Sequence, residues 1–155
     1  MSYANDMPTI EKAVRTDTGL ASELRTSVMR LRRRLANERH PDNELSMPSM
    51  AVLGALYGHG DMTLGELASH ERVQPPSMTR TVNCLEEGEY VARRPHDTDG
   101  RQVVISLSDK GRETLLADRA RRDAWLARRL RELSADERAV LRQAAPILER
   151  IARSD

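Results

Sequence analysis

The sequence is short of several things, and each shortage excludes a class. Of its 155 residues only one is cysteine, Cys84, so no intrachain disulfide framework can form and a reducing cytoplasm is the natural compartment. There is no phenylalanine, and Tyr3, Tyr57, Tyr90 and Trp125 are the whole aromatic complement. That speaks against the stacking platforms used for single-stranded nucleic acid. No apolar run approaches the roughly 20 residues of a membrane span. The opening MSYANDMPTIEKAVRTD lacks the apolar core of a secretory signal. No block of like charge suggests a disordered acidic or basic tail.

Net charge is also small, +1 from 25 Lys and Arg against 24 Asp and Glu, but it is unevenly spread. Residues 1–40 carry +3, residues 41–109 carry −6 and residues 110–155 carry +4. Taken alone, the −6 argues against a polyanion binding to the middle of the chain.

What is present is mostly helical signal. The first fifteen residues show no period and read as a loose arm. Leu20, Leu24, Val28, Leu31 and Leu35 then recur at helical spacing, predicting an amphipathic helix over 19–39 capped by Thr18. A second helix is predicted from Pro48 to Tyr57, stopped by Gly58 and Gly60. Thr63-Leu64-Gly65-Glu66 fits a capping box opening a short helix over 64–70. After a turn at Val73-Gln74, Pro75-Pro76 opens another helix that ends at Gly88, with Met78, Val82 and Leu85 facing inward. The period then changes to two. Residues 90–94 and 102–107 read as strands joined by the turn-rich His96–Gly100 tip. A long helix over 109–132 follows Ser108, with apolar surface from Leu115, Leu116, Ala120, Ala124, Leu126, Ala127 and Leu130. Ser134-Ala135-Asp136-Glu137 is a second capping box. The last helix, 135–152, is expected to bury Val140, Leu141, Ala144, Ile147, Leu148 and Ile151, and to bend or lose a hydrogen bond at Pro146.

Two short helices, a tight turn and a hairpin make a winged helix-turn-helix, whose second helix suits a DNA major groove about 12 Å wide. Residues 72–85 contain Arg72 and Arg80 and no acidic residue. Ser77, Thr79, Thr81 and Asn83 are short donors and acceptors suited to bases and phosphates. The helix N-terminus is expected to offer N–H groups and partial positive charge to a phosphate. Glu86, Glu87 and Glu89 sit at the far end and Glu66 reads as a cap, so the −6 misdescribes the surface that would meet DNA.

These runs resemble the MarR family of bacterial transcriptional regulators. The matching stretches are LGELA, RVQPPSMTR, LEEGEYVARR, Asp99-Gly100-Arg101 and VISLSDKG, and the resemblance is close over residues 45–115. It implies a mainly α fold with a small β-hairpin wing: one domain, with residues 45–108 as the winged helix-turn-helix lobe and residues 18–40 and 109–153 as a helical dimerisation region. Apolar stripes on the terminal helices, broader than one small lobe could cover, point the same way.

The implied partners are double-stranded DNA with a pseudo-palindromic operator and a second copy of the chain, in a bacterial cytoplasm at the nucleoid. Ser77, Thr79 and Arg80 become candidates for the major groove, with Arg80 best suited to guanine. Gln74, Pro76, Thr81 and Asn83 are candidates for the backbone. Arg101 resembles the family arginine that enters the minor groove, with Asp99 orienting it or bracing the loop. Arg93 and Arg94 are expected either at phosphates or paired with nearby carboxylates. Two positions depart from the family pattern, Gln74 where serine or threonine is common and His96 where aspartate is common.

The resemblance further implies a repressor released by a small aromatic or phenolic ligand, in a crevice that the sequence does not place. No cofactor is expected. His40, His59, His70 and His96 lack metal spacing, and Cys84 reads as a small packed residue. Two rivals remain at this stage. One is a winged-helix adaptor or anti-repressor that binds protein and not DNA. The other is a small enzyme, for which no acid–base or metal constellation is visible.

Overall fold

A computed structural model describes residues 16–154. The loose arm expected over the first fifteen residues lies outside them. The chain divides into two compact units, residues 1–38 and 39–155.

The described part of the first unit is one helix, α1 (Asp17–Asn37), ending at the C-cap Glu38. Its cap is Thr16 rather than Thr18: Thr16 is extended and its hydroxyl accepts the Gly19 N–H at 3.1 Å. Asp17 in the first turn complements the positive end of the helix dipole, which favours this earlier start. Leu20, Leu24, Val28 and Leu31 form the expected stripe, and all four are exposed.

The second unit is built around α2 (Met47–His59), capped by the Ser46 hydroxyl. This helix is apolar around most of its circumference and buries Met50, Val52, Leu53, Ala55 and Leu56, as a central helix must. It runs through Gly58 and stops at Gly60, whose φ of 81° is the left-handed conformation that favours glycine. Then come β1 (Met62–Thr63) and α3 (Leu64–His70). The Thr63–Glu66 capping box is formed in both directions, at 2.7 and 3.2 Å. Next is α4 (Pro75–Glu87), which buries Met78, Val82 and Leu85 as predicted. The left-handed residue after α4 is Glu89 (φ 62°), not Gly88.

The hairpin β2 (Val91–Pro95) and β3 (Val103–Leu107) is antiparallel, with Val91 opposite Leu107 and Pro95 opposite Val103. Sequence periodicity misses β1, because two residues cannot display a period. Met62 and Thr63 pair with Ile105 and Val104, completing a three-stranded sheet in the order β1-β3-β2. The core joins Leu53 and Leu56 of α2, Leu67 of α3, Val82 and Leu85 of α4, Ile105 of β3 and Leu115 of the next helix. Burying each such side chain contributes about 1.5–3 kcal/mol before conformational entropy is subtracted.

Two long helices follow, α5 (Asp109–Arg131) and α6 (Ala135–Arg153). The first turn of α5 sits hard against the start of the hairpin. A Cβ on Gly111 would run into the Tyr90 carbonyl oxygen, and the Ser108 hydroxyl donates to the Glu89 carbonyl at 2.7 Å. The Ser134–Glu137 capping box is formed as predicted. The burial expected of α6 is not found. Val140, Leu141, Ile147, Leu148 and Ile151 are all exposed, at 64% for Val140 and 57% for Ile151. On α5, Leu116, Ala120, Ala124 and Ala127 are likewise exposed. An apolar stripe at helical spacing signals a face that needs covering, and within the second unit no described element covers these. The helix α6 runs unbroken through Pro146, which has no N–H to give the carbonyl four residues back. Among the described residues no helix is long and apolar enough to cross a membrane.

Candidate nucleic-acid interface

The helix α4 turns its apolar stripe into the core, which leaves Ser77 and Arg80 exposed on the surface with Cys84 one turn beyond. Cys84 is therefore an exposed thiol rather than the packed residue expected. Among the described residues no ion pair engages the Arg80 guanidinium. The same holds for Arg72, in the turn that enters the helix with a φ of 54°.

The start of α4 does not present the N–H groups expected. Pro75 and Pro76 have none, and the Ser77 N–H is bonded to the Gln74 carbonyl at 3.0 Å. Gln74 occupies the cap position with no side-chain cap bond, as its residue type predicts. Polar contacts from this end must come from side chains. The exposed Ser77 hydroxyl is one candidate, and the positive end of the helix dipole remains.

The threonines are constrained in a useful way. Thr79 donates its hydroxyl to the Pro75 carbonyl at 3.0 Å, and Thr81 donates to the Ser77 carbonyl at 3.1 Å. In these rotamers each hydroxyl has only acceptor capacity left, which suits an amino group on a base edge and not a phosphate oxygen. Asn83 can meet a backbone phosphate only through its Nδ2–H groups, since a carbonyl and a phosphate oxygen both accept. Its Oδ1 accepts from Arg93 on β2, and the Arg93 Nε lies 2.8 Å from Glu86 Oε2. That cluster ties α4 to the hairpin.

Arg94 is held between two carboxylates, Asp61 at 2.9 Å and Asp97 at 3.0 Å. The Asp61 hydrogen bond first, then the charge of Asp97, push its pKa above the ordinary arginine value. Of the two alternatives for Arg93 and Arg94, pairing with carboxylates is the one formed in the fold.

The wing tip is built from short-range bonds. Asp99 Oδ1 accepts the Arg101 N–H at 3.1 Å, and the Asp99 carbonyl accepts the Gln102 N–H at 3.0 Å. Asp99 therefore braces the loop through the Arg101 backbone rather than through its guanidinium. His96 stands in for the expected aspartate, since its Nδ1 accepts the N–H groups of Thr98 and Asp99 at 3.3 Å each. The Arg101 guanidinium is exposed and, among the described residues, unpaired.

Four of the acidic groups behind the −6 of the middle segment are engaged within the lobe. Glu66 caps α3, Glu86 holds Arg93, and Asp61 and Asp97 hold Arg94. Among the described residues, Arg72 on the turn, Arg80 on the helix and Arg101 on the wing have no ion-pair partner.

A second polar cluster was not anticipated. Asp118 of α5 is fully buried and accepts the His40 N–H and the Asn43 Nδ2–H, both at 2.8 Å. Arg122 lies 3.4 Å away and Arg39 3.9 Å away. A signal was available: Asp118 follows Gly111 and Leu115 at helical spacing, which puts a carboxylate on the inward face. Beside it, a cleft of about 220 Å³ is lined by His40, Asp42, Asn43, Tyr90, Glu113, Thr114 and Ala117.

Comparison with known proteins identifies the family and the fold. Residues 45–103 match the MarR family. An uncharacterized HTH-type transcriptional regulator of Mycobacterium leprae is 46% identical over 133 residues, covering 86% of this chain and 92% of that protein. The HTH-type transcriptional repressor MdtR of Bacillus subtilis is 32% identical over 103 residues, 66% of this chain and 64% of that protein. A solved Pseudomonas aeruginosa structure, 35% identical, superposes with a TM-score of 0.78 over 90% of this chain and 96% of that one.

Proposed function

The chain belongs to the MarR family of DNA-binding transcriptional regulators, and from that premise we propose that it acts as a homodimeric repressor whose grip on a pseudo-palindromic operator is released by a small aromatic or phenolic ligand. The observation that carries the DNA-binding geometry is the contrast among its arginines. Arg93 and Arg94 are paired with carboxylates of the lobe, while Arg72, Arg80 and Arg101 are exposed and, among the described residues, unpaired.

In this reading α4 enters the major groove. Arg80 reads guanine, Thr79 accepts from a base amino group, and Ser77 and Thr81 lie beside it. Gln74 and Pro76 approach the backbone. Arg101 enters the minor groove, where it reads width and negative potential more than base identity. Asn83, Arg94 and Asp99 position the helix and wing for those contacts.

The dimer rests on the uncovered stripes of α1 and α6, which a second copy would bury; residues 18–40 and 109–153 then form the dimerisation region and residues 45–108 the DNA-binding lobe. Repression is the activity of MdtR, carried over by similarity. For the effector, the cleft of about 220 Å³ beside Tyr90 and Ala117 is smaller than drug-sized ligand sites of about 300–1,000 Å³, which limits it to a single ring. The site of action is the bacterial cytoplasm, at the nucleoid. An enzyme reading falls with family membership.

Selection of bound duplexes from a random pool by the purified protein tests the core of this. The expected product is an inverted repeat with half-sites about one helical turn apart. A single unrepeated half-site would contradict the dimer, and no enrichment at all would favour the protein-binding adaptor. Adding simple hydroxybenzoates to the selected complex then tests release.

A further inference from the structure

Two histidines that lie eleven positions apart meet at the ends of two helices. His59 closes α2 and His70 closes α3, and their Nε2 atoms are 3.1 Å apart. The ring planes are inclined at 64° with centroids 4.8 Å apart. Two imidazoles placed nose to nose at this nitrogen separation would have more distant centroids, so the rings meet at a bend. His70 Nδ1 lies 3.0 Å from Glu71 Oε1. Both histidines are exposed.

From this arrangement we propose that His59 and His70 are a surface site for a divalent first-row transition-metal ion of the Cu²⁺, Ni²⁺ or Zn²⁺ type. The distance is the first reason. Metal–imidazole bonds are about 2.0–2.1 Å, so two nitrogens bound to one ion at angles between square and tetrahedral sit about 2.9–3.4 Å apart. The second reason is the tautomer. The Glu71 carboxylate fixes the His70 proton on Nδ1 and leaves the Nε2 lone pair available. That carboxylate–histidine relation is the usual outer-shell support of a metal-bound imidazole. Without an ion, the close Nε2 atoms need a proton between them, donated by His59. An ion takes the place of that proton and releases it to solvent.

Among the described residues no group of three or more His, Cys, Asp or Glu side chains converges on one point, so water fills the remaining coordination positions. The bound ion would tie the end of α2 to the end of α3, immediately before the turn at Arg72 that leads into the recognition helix. Because it binds only the folded arrangement, it stabilises the lobe by mass action.

The test is titration of tag-free protein with CuCl₂ and, separately, ZnCl₂ by calorimetry. One ion per chain is expected, with affinity at least tenfold lower in His59→Gln and in His70→Gln. Glu71→Gln should weaken binding by about 10–100-fold, and His96→Gln should leave it unchanged. The thermal midpoint should rise with metal in the wild type and stay fixed in the two histidine variants. The electron paramagnetic resonance spectrum of the Cu²⁺-loaded wild type is independent of any variant's folding and should report two imidazole nitrogens in the equatorial plane. No binding, an oxygen-only spectrum, or binding that survives both histidine substitutions would each overturn the assignment and leave the pair as an ordinary hydrogen bond.

Discussion

The Asp118 carboxylate accepts the backbone N–H of His40 at 2.8 Å, joining residues 78 positions apart in the sequence. The same carboxylate accepts from Asn43 at 2.8 Å. One buried side chain on α5 therefore fixes the segment that leads into α2. Replacing it with alanine leaves two partly buried donors unmet and removes the charge that faces Arg39 and Arg122. Asp118→Ala is expected to destabilise the fold by about 3 kcal/mol. The urea midpoint measures this, and a shift within the error of a surface substitution would show the cluster to be inert.

Arg80 and Arg101 should fail differently. Arg80→Ala is expected to lose about 1–3 kcal/mol of discrimination at one base pair of each half-site. Arg101→Ala should lower affinity across sequences and reduce the salt slope by roughly 1. Arg94→Ala, whose charge is already met by Asp61 and Asp97, should leave the slope unchanged and weaken binding only by loosening the wing. Gel shifts at several salt concentrations separate the three. Equal slopes for the Arg94 and Arg101 variants would mean that Arg94 also reaches phosphate.

The capping carboxylates predict an acid dependence. The Ser134 backbone N–H, then its hydroxyl, hold Glu137 below its ordinary value of 4.5, and Thr63 does the same for Glu66. A carboxyl depressed in the folded state contributes stability that is fully present above the unfolded value and lost as pH falls through the folded value. Glu137→Gln should therefore lower the thermal midpoint near neutral pH. The difference from wild type should shrink as the pH is taken below 4.5. A gap that stays constant down to strongly acidic pH would remove the cap from the explanation.

The uncovered stripe of α6 predicts its own test. Val140→Asp with Ile151→Asp places charge on the two most exposed apolar positions of that helix. Sedimentation should show a dimer for the wild type and a monomer for the double variant, with operator affinity lost in parallel. A dimer unchanged by both substitutions would place the interface elsewhere.

Much of this was legible along the chain. The capping boxes at Thr63 and Ser134, the proline start at Pro75 and the inward Met78, Val82 and Leu85 are set by contacts three or four residues apart. A helix imposes those spacings wherever it sits. The wing followed from a change of period and a turn-rich tip. The strand Met62–Thr63 was not legible, since it exists only because Ile105 and Val104 are there to pair with it. Thr16 rather than Thr18 as the cap of α1 is a shift of half a turn, which similar residue types so close together do not resolve.

The site divides the same way. Sequence by itself determined the candidates for DNA contact: the short polar side chains and Arg80 on one helix, Arg101 on the tip. Residue type and helical spacing fix those. Tertiary structure decided which of the charges are still available. Arg93 and Arg94 were open to phosphates or to carboxylates until Asn83, Glu86, Asp61 and Asp97 were brought beside them. Electrostatic compensation depends on distance in space, so it cannot be read from order along the chain. The same holds for Asp118 beside His40 and for His59 beside His70.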